Sequence, residues 1–240
     1  MFLNAAMSAA LDRIAERAAD ARRAFTPGAL PMRDDVATPL PASDFTLDPL
    51  VVSAPAGAYF ITRDEQGETS YTRDGAFTLS DGRLLDQRGH AVCGFRLGSD
   101  APGALQADPI DAALGRIANA HVEADGSLVY GRATIEPRTG ATELQRIVVG
   151  RIALARFPAG SKIEGNDGIE VSAPRDVAPH VGMAKDGTFE AIAPMQRDRS
   201  RIDVDRSLIR LKDAYLAFDA LRAAEMAKAH LGKTTLDLVK

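Results

Sequence analysis

Two stretches of helical periodicity, one near each end of the chain, most constrain what this sequence can fold into. Across residues 3–25 the apolar residues step by three or four, which places them along one side of a helix. The same spacing returns towards the carboxyl end, where residues 207–231 contain neither proline nor glycine. We predict a long helix in each stretch, the second capped by Asp203 or Asp205 and ending near Gly232. The apolar positions are Leu3, Met7, Ala10, Ile14, Ala18, Ala21 and Phe25 in the first stretch, and Val204, Leu208, Leu211, Tyr215, Phe218, Leu221 and Ala224 in the second.

The chain between these stretches has a different pattern. Residues 27–49 hold five prolines with little periodicity, which predicts an extended linker. From residue 50 to about 193, short runs of β-branched and aromatic residues alternate with Asp-Gly or Gln-Gly pairs, which favour the tight turns of antiparallel hairpins. Turns are predicted at 66–67, 74–75, 81–82, 125–126, 167–168 and 186–187. Strands are predicted at 59–62, 70–72, 76–79, 83–85 and 144–157, with Gly150 marking a bulge or a strand boundary.

These patterns predict an α+β fold. A β-rich central domain of antiparallel strands, residues 50–200, follows the linker at 27–49. The terminal helices, in residues 1–26 and 201–240, are predicted to form a discontinuous coiled-coil domain that serves assembly. Each helix carries an apolar stripe that nothing in its own segment covers. Periodicity leaves the alternative open that both helices pack on the β region as an ordinary α+β domain.

Composition weighs against several classes of protein. The net charge is −4 and tryptophan is absent, so neither a basic patch nor an aromatic stacking platform for nucleic acid is expected. The single cysteine, Cys93, cannot form an internal disulfide and is predicted to be buried. No apolar run approaches the roughly 20 residues of a membrane-spanning helix. Charged residues interrupt the first 24 positions, so any export is expected to use a route other than a cleaved signal peptide.

Motifs that carry enzymatic chemistry are absent from the sequence. The four histidines are isolated from one another in sequence, and no phosphate-binding loop or nucleophile elbow occurs, so no metal, cofactor or catalytic residue is predicted. Asp74 and Asp81 precede glycine in predicted turns, where aspartate serves local hydrogen bonding. Arg73 and Arg83, beside these turns, are predicted to be surface residues. The alternative is a carbohydrate-acting enzyme that uses two such carboxylates as acid and base.

A Tyr-Thr-Arg-Asp-Gly-Ala-Phe run stands at 71–77, with further short runs in a fixed order before and after it. These runs resemble the flagellar rod and hook protein family, with 71–77 the most specific, and the length is closest to that of the proximal rod protein. The C-terminal stretch 208–238 is similar to the closing helix of that family. The N-terminal stretch departs from it, because the family's asparagine-rich run before a Thr-x-Gly-Phe turn is missing here. The other matching runs are 57–60, 81–84, 89–94, 125–128 and 149–157.

The resemblance implies a structural subunit rather than an enzyme. It implies that the chain assembles with copies of itself and with other rod subunits into a torque-transmitting tube in the basal body of the bacterial flagellum. Hook-side and ring-side basal-body proteins and the type III export apparatus are further implied partners, whereas nucleic acid and membrane insertion are not expected. The alternative within this resemblance is a divergent binding or assembly-chaperone module. The predicted assembly interface is Leu3, Met7, Ile14, Phe25, Leu208, Leu211, Tyr215, Phe218 and Leu221.

Overall fold

The chain forms two compact units. The helical unit is built from Met1–Phe25, Ala29–Leu40 and Ser200–Lys240, and the β unit from Thr26–Gly28 and Pro41–Arg199. Part of the predicted linker, namely residues 27, 30 and 33–42, lies outside the described residues, as does the predicted turn at 167–168. The computed structural model describes residues 2–26, 28–29, 31–32, 43–135, 142–158, 161, 164–165, 170–173 and 177–238.

Three helices occur in the described part of the chain: α1 (Phe2–Arg23), α2 (Pro109–Ala113) and α3 (Val204–Leu238). The carboxylate of Asp203 accepts the N–H of Arg206 at 3.0 Å, which confirms one of the two predicted caps of α3. The predicted end at Gly232 is wrong, because α3 continues through this residue. One glycine costs a helix interior only about 1 kcal/mol, and no proline follows to stop it.

Sixteen strands occur in the β unit, counted over the described residues. They are β1 (Ser43–Phe45), β2 (Val52–Ser53), β3 (Tyr59–Arg63), β4 (Thr69–Thr72), β5 (Thr78–Ser80), β6 (Arg83–Leu85), β7 (Ala91–Arg96), β8 (Gly103–Ala104), β9 (Ile117–Val122), β10 (Ser127–Ile135), β11 (Thr142–Arg156), β12 (Glu164–Gly165), β13 (Glu170–Ser172), β14 (His180–Met183), β15 (Ala193–Pro194) and β16 (Gln196–Asp198).

Twelve of these strands form one sheet that curls into an almost closed, barrel-like shape. Its main path runs β12-β13-β4-β3-β11-β7-β6-β5, while β10 and β14 pair with β11, β9 pairs with β10, and β8 pairs with β7. The remaining strands form two separate pairs, β1 with β16 and β2 with β15. Every pairing between these strands is antiparallel, which agrees with the hairpin turns in the sequence.

The predicted fold class is wrong. The protein is mostly β-sheet with few helices, and its terminal helices do not make a coiled-coil domain. A coiled coil requires large apolar residues along a buried seam. The buried residues of α1 and α3 are instead small or charged, namely Ala10, Arg17, Asp20 and Ser207. Large apolar residues of α3 remain exposed on more than one side, so its stripe does not interlock with α1 as predicted.

Side-chain alternation in the central strands builds two apolar clusters, one on each face of the sheet. Because successive side chains of a strand point to opposite faces, Phe60 of β3 enters one cluster while Tyr59 enters the other. Phe60 meets Phe77 edge to face, with ring centroids 5.1 Å apart. On the other face Tyr59 and Tyr71 both contact Phe157, at 5.6 and 5.0 Å. The sheet is therefore packed on both faces at its centre.

Two Asp-Gly pairs have different structural roles. Asp81 and Gly82 both adopt positive φ angles, 49° and 75°, and join β5 to β6 as the predicted two-residue hairpin. Gly75 has no such φ angle. A Cβ atom there would lie 1.9 Å from the carbonyl oxygen of Val52, so glycine is required by the close approach of two backbones. The tight hairpin predicted at 74–75 is therefore wrong, although a glycine is needed there.

The longest strand, β11, contains the predicted bulge. Its register with β10 shifts between Leu128, opposite Gly150, and Val129, opposite Val148. Val149 is thus the extra residue of a β-bulge beside Gly150, and the strand continues on both sides. A Cβ atom at Gly150 would lie 2.5 Å from the carbonyl oxygen of Phe95 on β7, which explains the glycine.

Candidate functional site

The two long helices lie antiparallel within the helical unit. They pack against each other. Near one end, Ala24 shares an apolar cluster with Ile202 and Val204. Near the other, Met7 and Phe218 line a shallow groove of about 440 Å³. The end of α1 therefore lies at the start of α3, and the start of α1 lies beside Phe218, so the two helices run antiparallel. The side of α3 that faces α1 is covered by it.

A cluster of charged residues lies in the last two turns of α1. The side chain of Asp20 is fully buried, and its Oδ1 accepts hydrogen bonds from Arg23 and from the backbone N–H of Met32, both at 3.0 Å. A second cation, Arg17, is also buried and lies 3.9 Å from the other carboxylate oxygen. A buried carboxylate needs such partners, because removing them leaves an uncompensated charge. This cluster therefore stabilises the contact between α1 and the segment that follows it.

The predicted assembly residues divide into two groups. Some are half-buried between the helices, and others remain exposed to solvent. The side chain of Leu3 lies outside the described residues. The half-buried group is Met7, Ile14, Leu211, Phe218 and Leu221. The exposed group is Phe25 (82% exposed), Leu208 (51%) and Tyr215 (51%).

A second apolar face of α3, which we call the outer face, was missed by the sequence reasoning. An α-helix turns about 100° per residue, so Ile209 and Leu216 lie about 200° from Leu211 and Phe218 respectively. They therefore lie on the side opposite α1, and they are 59% and 57% exposed. Exposed alanines continue this outer face at Ala220, Ala223 and Ala227. The sequence signal for this face is the seven-residue spacing of Ile209, Leu216 and Ala223, which runs beside the spacing of Leu211 and Phe218.

Arg73, in the most specific run of the resemblance, is buried, so its predicted surface position is wrong. Its guanidinium donates to the carbonyl oxygens of Ala58 at 2.7 Å, Ala54 at 3.2 Å and Pro55 at 3.3 Å. It also donates to the carboxylate of Asp198, with Nε at 3.0 Å. One side chain thus ties β4 to the segment after β2 and to β16. Local pattern could not reveal this, because Asp198 is 125 residues away.

Asp74 and Asp81 are the carboxylates that the enzyme alternative would use. Asp74 is buried, where its Oδ1 accepts the N–H of Ala76 at 3.2 Å and its Oδ2 pairs with Arg197 at 3.1 Å. Asp81 occupies the tight turn between β5 and β6. Both residues therefore have structural partners or a structural position, and Asp74 serves local hydrogen bonding as predicted.

One histidine has partners that its sequence neighbours do not show. His90 lies between Asp86 and Glu170, and the potential ligand atoms of the three residues lie within 4.8 Å of one another. Glu170 belongs to β13, 80 residues further along the chain, so the spacing of residues could not predict this group. It is a set of side chains able to hold a metal ion. By contrast, two partners of His121 are close to it in sequence: its Nδ1 lies 2.9 Å from the carbonyl oxygen of Asn119 and its Nε2 lies 3.7 Å from Glu123.

Cys93 is a free thiol and fully buried in β7, as predicted. Burial raises the pKa of this thiol, because the thiolate loses its hydration inside the sheet. A buried thiol with a raised pKa is a poor nucleophile, so Cys93 acts as a small apolar residue of the core.

None of the helices in the described residues combines the length and the apolar character needed to cross a bilayer. Comparison of the chain with models of known protein families found no match, and comparison with curated proteins found none either. The family resemblance therefore rests on the residues that carry it.

Proposed function

We propose that this chain is a structural subunit of the bacterial flagellar basal-body rod. The observation that carries the proposal is the outer face of α3. A helix that is apolar on two opposite sides is normally covered on both. Here α1 covers one side, while Ile209 and Leu216 on the other remain more than half exposed. Burying the rest of each side chain would contribute about 1–2 kcal/mol, so the outer face suits contact with another subunit.

The β unit gives a second line of support. The runs that carry the resemblance supply its centre: Phe77 and Leu154 are buried in one cluster, and Tyr71 and Ala153 in the other. These runs specify a packed sheet rather than a reactive cleft. A sheet packed in this way fits a mechanical role better than catalysis.

The proposed mechanism is mechanical. In the proposed contact, the outer face of one copy binds a different surface of the next copy. Such a contact does not close into a dimer, and repeating it from copy to copy gives a ring or a helical array. A tube built in this way transmits torque through many repeated interfaces. We propose that the protein is located in the flagellar basal body and is exported without a cleaved signal peptide. Its proposed partners are other rod subunits, hook-side and ring-side proteins, and the export apparatus.

The test is a charge placed on the outer face. The double variant Ile209→Asp/Leu216→Asp should weaken self-association by roughly 30-fold or more, since each 1.4 kcal/mol is tenfold. Sedimentation velocity over a concentration series measures this, and a complemented deletion strain reports basal-body assembly and motility. The matched control is Lys228→Glu, a charge change at an exposed residue of the same helix that lies about 100° around the axis from Ile209.

Two outcomes would contradict the proposal. One is a double variant that supports rods and motility as the wild type does. The other is a wild-type chain that stays monomeric at all concentrations and whose deletion leaves flagella intact. A monomer whose deletion still blocks assembly below the hook would favour the assembly-chaperone alternative instead.

A further inference from the structure

Three side chains from two distant parts of the β unit converge near the turn between β6 and β7. The Nδ1 atom of His90 lies 2.8 Å from Oε1 of Glu170 and 3.7 Å from Oδ2 of Asp86. Both carboxylates are about nine-tenths buried, with side-chain exposures of 11% and 7%. His90 is more open, at 25%, so solvent reaches the group from its side.

The backbone fixes the position of Asp86. Its Oδ1 accepts the N–H groups of Arg88 at 2.9 Å and of His90 at 2.8 Å, which holds the carboxylate across the turn. The other oxygen, Oδ2, is directed at the imidazole, but 3.7 Å is too long for a hydrogen bond. A buried carboxylate oxygen thus faces a ring nitrogen without bonding to it.

Glu170 is fixed by partners on both oxygens. Oε1 accepts the hydroxyl of Thr62 on β3 at 3.3 Å as well as contacting His90, and Oε2 pairs with Arg88 at 3.2 Å. Arg88 therefore orients the carboxylate from the side away from the imidazole. Oε1 is the oxygen that faces the centre of the group.

Two carboxylates that are about nine-tenths buried face the same ring nitrogen. Two buried carboxylates within reach of one imidazole favour a cation between them. Neutral imidazole and carboxylate oxygen are both ligands that Zn²⁺ accepts.

We propose that Asp86, His90 and Glu170 bind a divalent transition-metal ion, for which Zn²⁺ is the probe. Zinc lies about 2.0–2.2 Å from nitrogen and oxygen ligands, so two ligand atoms at the tetrahedral angle are about 3.3 Å apart. The observed separations of 2.8 and 3.7 Å lie on either side of this value. The three ligand atoms lie within 4.8 Å of one another, so side-chain adjustment would have to bring them to this spacing, with water from the open side of His90 as the fourth ligand.

Such an ion would link the β6–β7 turn to β13, two segments 80 residues apart. A ligand that binds only the folded state stabilises it. The site is independent of assembly through the outer face, since all three ligands belong to the β unit.

Isothermal titration of the full-length chain with ZnCl₂ tests the site, and Co²⁺ provides an absorption spectrum that reports coordination. We expect one ion per chain and a rise in Tm with Zn²⁺. His90→Gln should weaken binding at least tenfold and abolish the rise in Tm, whereas His121→Gln, at an exposed histidine, should change neither.

A second variant guards against misfolding of the first. Asp86→Asn keeps the side-chain oxygen that accepts the turn N–H groups but removes the charge, so it should fold and still lose affinity. Zinc binding that is absent from the wild type, or that persists unchanged in a folded His90→Gln or Asp86→Asn variant, would overturn the proposal.

Discussion

The contact between Arg73 and Asp198 yields the sharpest prediction about what the Tyr-Thr-Arg-Asp-Gly run does. Both side chains are about nine-tenths buried, at 7% and 11% exposure. The change Arg73→Met keeps most of the aliphatic volume but removes every hydrogen bond of the guanidinium. It leaves the Asp198 carboxylate without its cation and the carbonyl oxygens of Ala54, Pro55 and Ala58 without this donor.

Breaking a buried ion pair by removing one partner costs about 3–5 kcal/mol. For a folding unit of this size each 1 kcal/mol shifts Tm by about 2–4 °C, so Tm should fall by roughly 6–20 °C. Urea unfolding followed by far-ultraviolet circular dichroism measures the free energy of unfolding. The matched control is Arg83→Met, an exposed arginine in β6, which should change stability by no more than about 0.5 kcal/mol.

A double-mutant cycle completes the test. Asp198→Asn alone should also destabilise, but the double variant should cost clearly less than the sum of the two, by about 1–3 kcal/mol. Additive costs, or a loss below about 1 kcal/mol for Arg73→Met, would refute the view that this arginine clamps three segments together. A stable but assembly-defective variant would instead assign Arg73 to an interface.

Three further predictions follow from the described contacts. The hydroxyl of Tyr130 donates to Asp111 and holds the pKa of this carboxyl below its usual range. The wild type should therefore be more stable than Asp111→Asn by a margin that is full above a pH of about 4 and declines as the pH falls through the pKa of the folded state. Urea unfolding at several pH values measures this margin. Gly75→Ala would place a Cβ atom 1.9 Å from the carbonyl oxygen of Val52, so it should destabilise the β unit by more than about 2 kcal/mol; a smaller loss in thermal unfolding would contradict the close approach. Asp203→Ala removes the cap of α3 and should cost about 1 kcal/mol, which Asp203→Asn should largely restore.

The sequence predicted those features whose causes are local. The hairpin at Asp81-Gly82 follows from two residues that tolerate positive φ angles, and the structure has that turn between β5 and β6. The two long helices are predicted by apolar residues spaced three or four apart, which is a local pattern. The cap at Asp203 is predicted by the position of this residue just before α3. The bulge at Val149 lies beside Gly150, where the sequence predicted a bulge or a strand boundary, although the glycine itself is required by the close approach of β7.

Features that depend on distant partners were not predictable. The residues around Arg73 in the sequence predict a surface position, but in the folded chain β16 places Asp198 beside it. Asp86 stands four residues before His90, but the third member of the group, Glu170, is supplied by β13, 80 residues further along the chain. The coiled-coil prediction was wrong because periodicity records which residues are apolar but not which ones a partner covers. The buried positions of the helix pair include Arg17 and Asp20, whereas Ile209 and Leu216 are exposed.

The division of the chain has a consequence for the order in which it folds. The helical unit needs segments from both sides of the β unit, whereas the β unit is nearly continuous. A chain that emerges amino terminus first, from a ribosome or from a channel, can complete its sheet while α1 still lacks α3. Until the last segment arrives, α1 offers Met7 and Ile14 to any similar helix nearby, so exchange of α3 between molecules competes with closure of each one on itself.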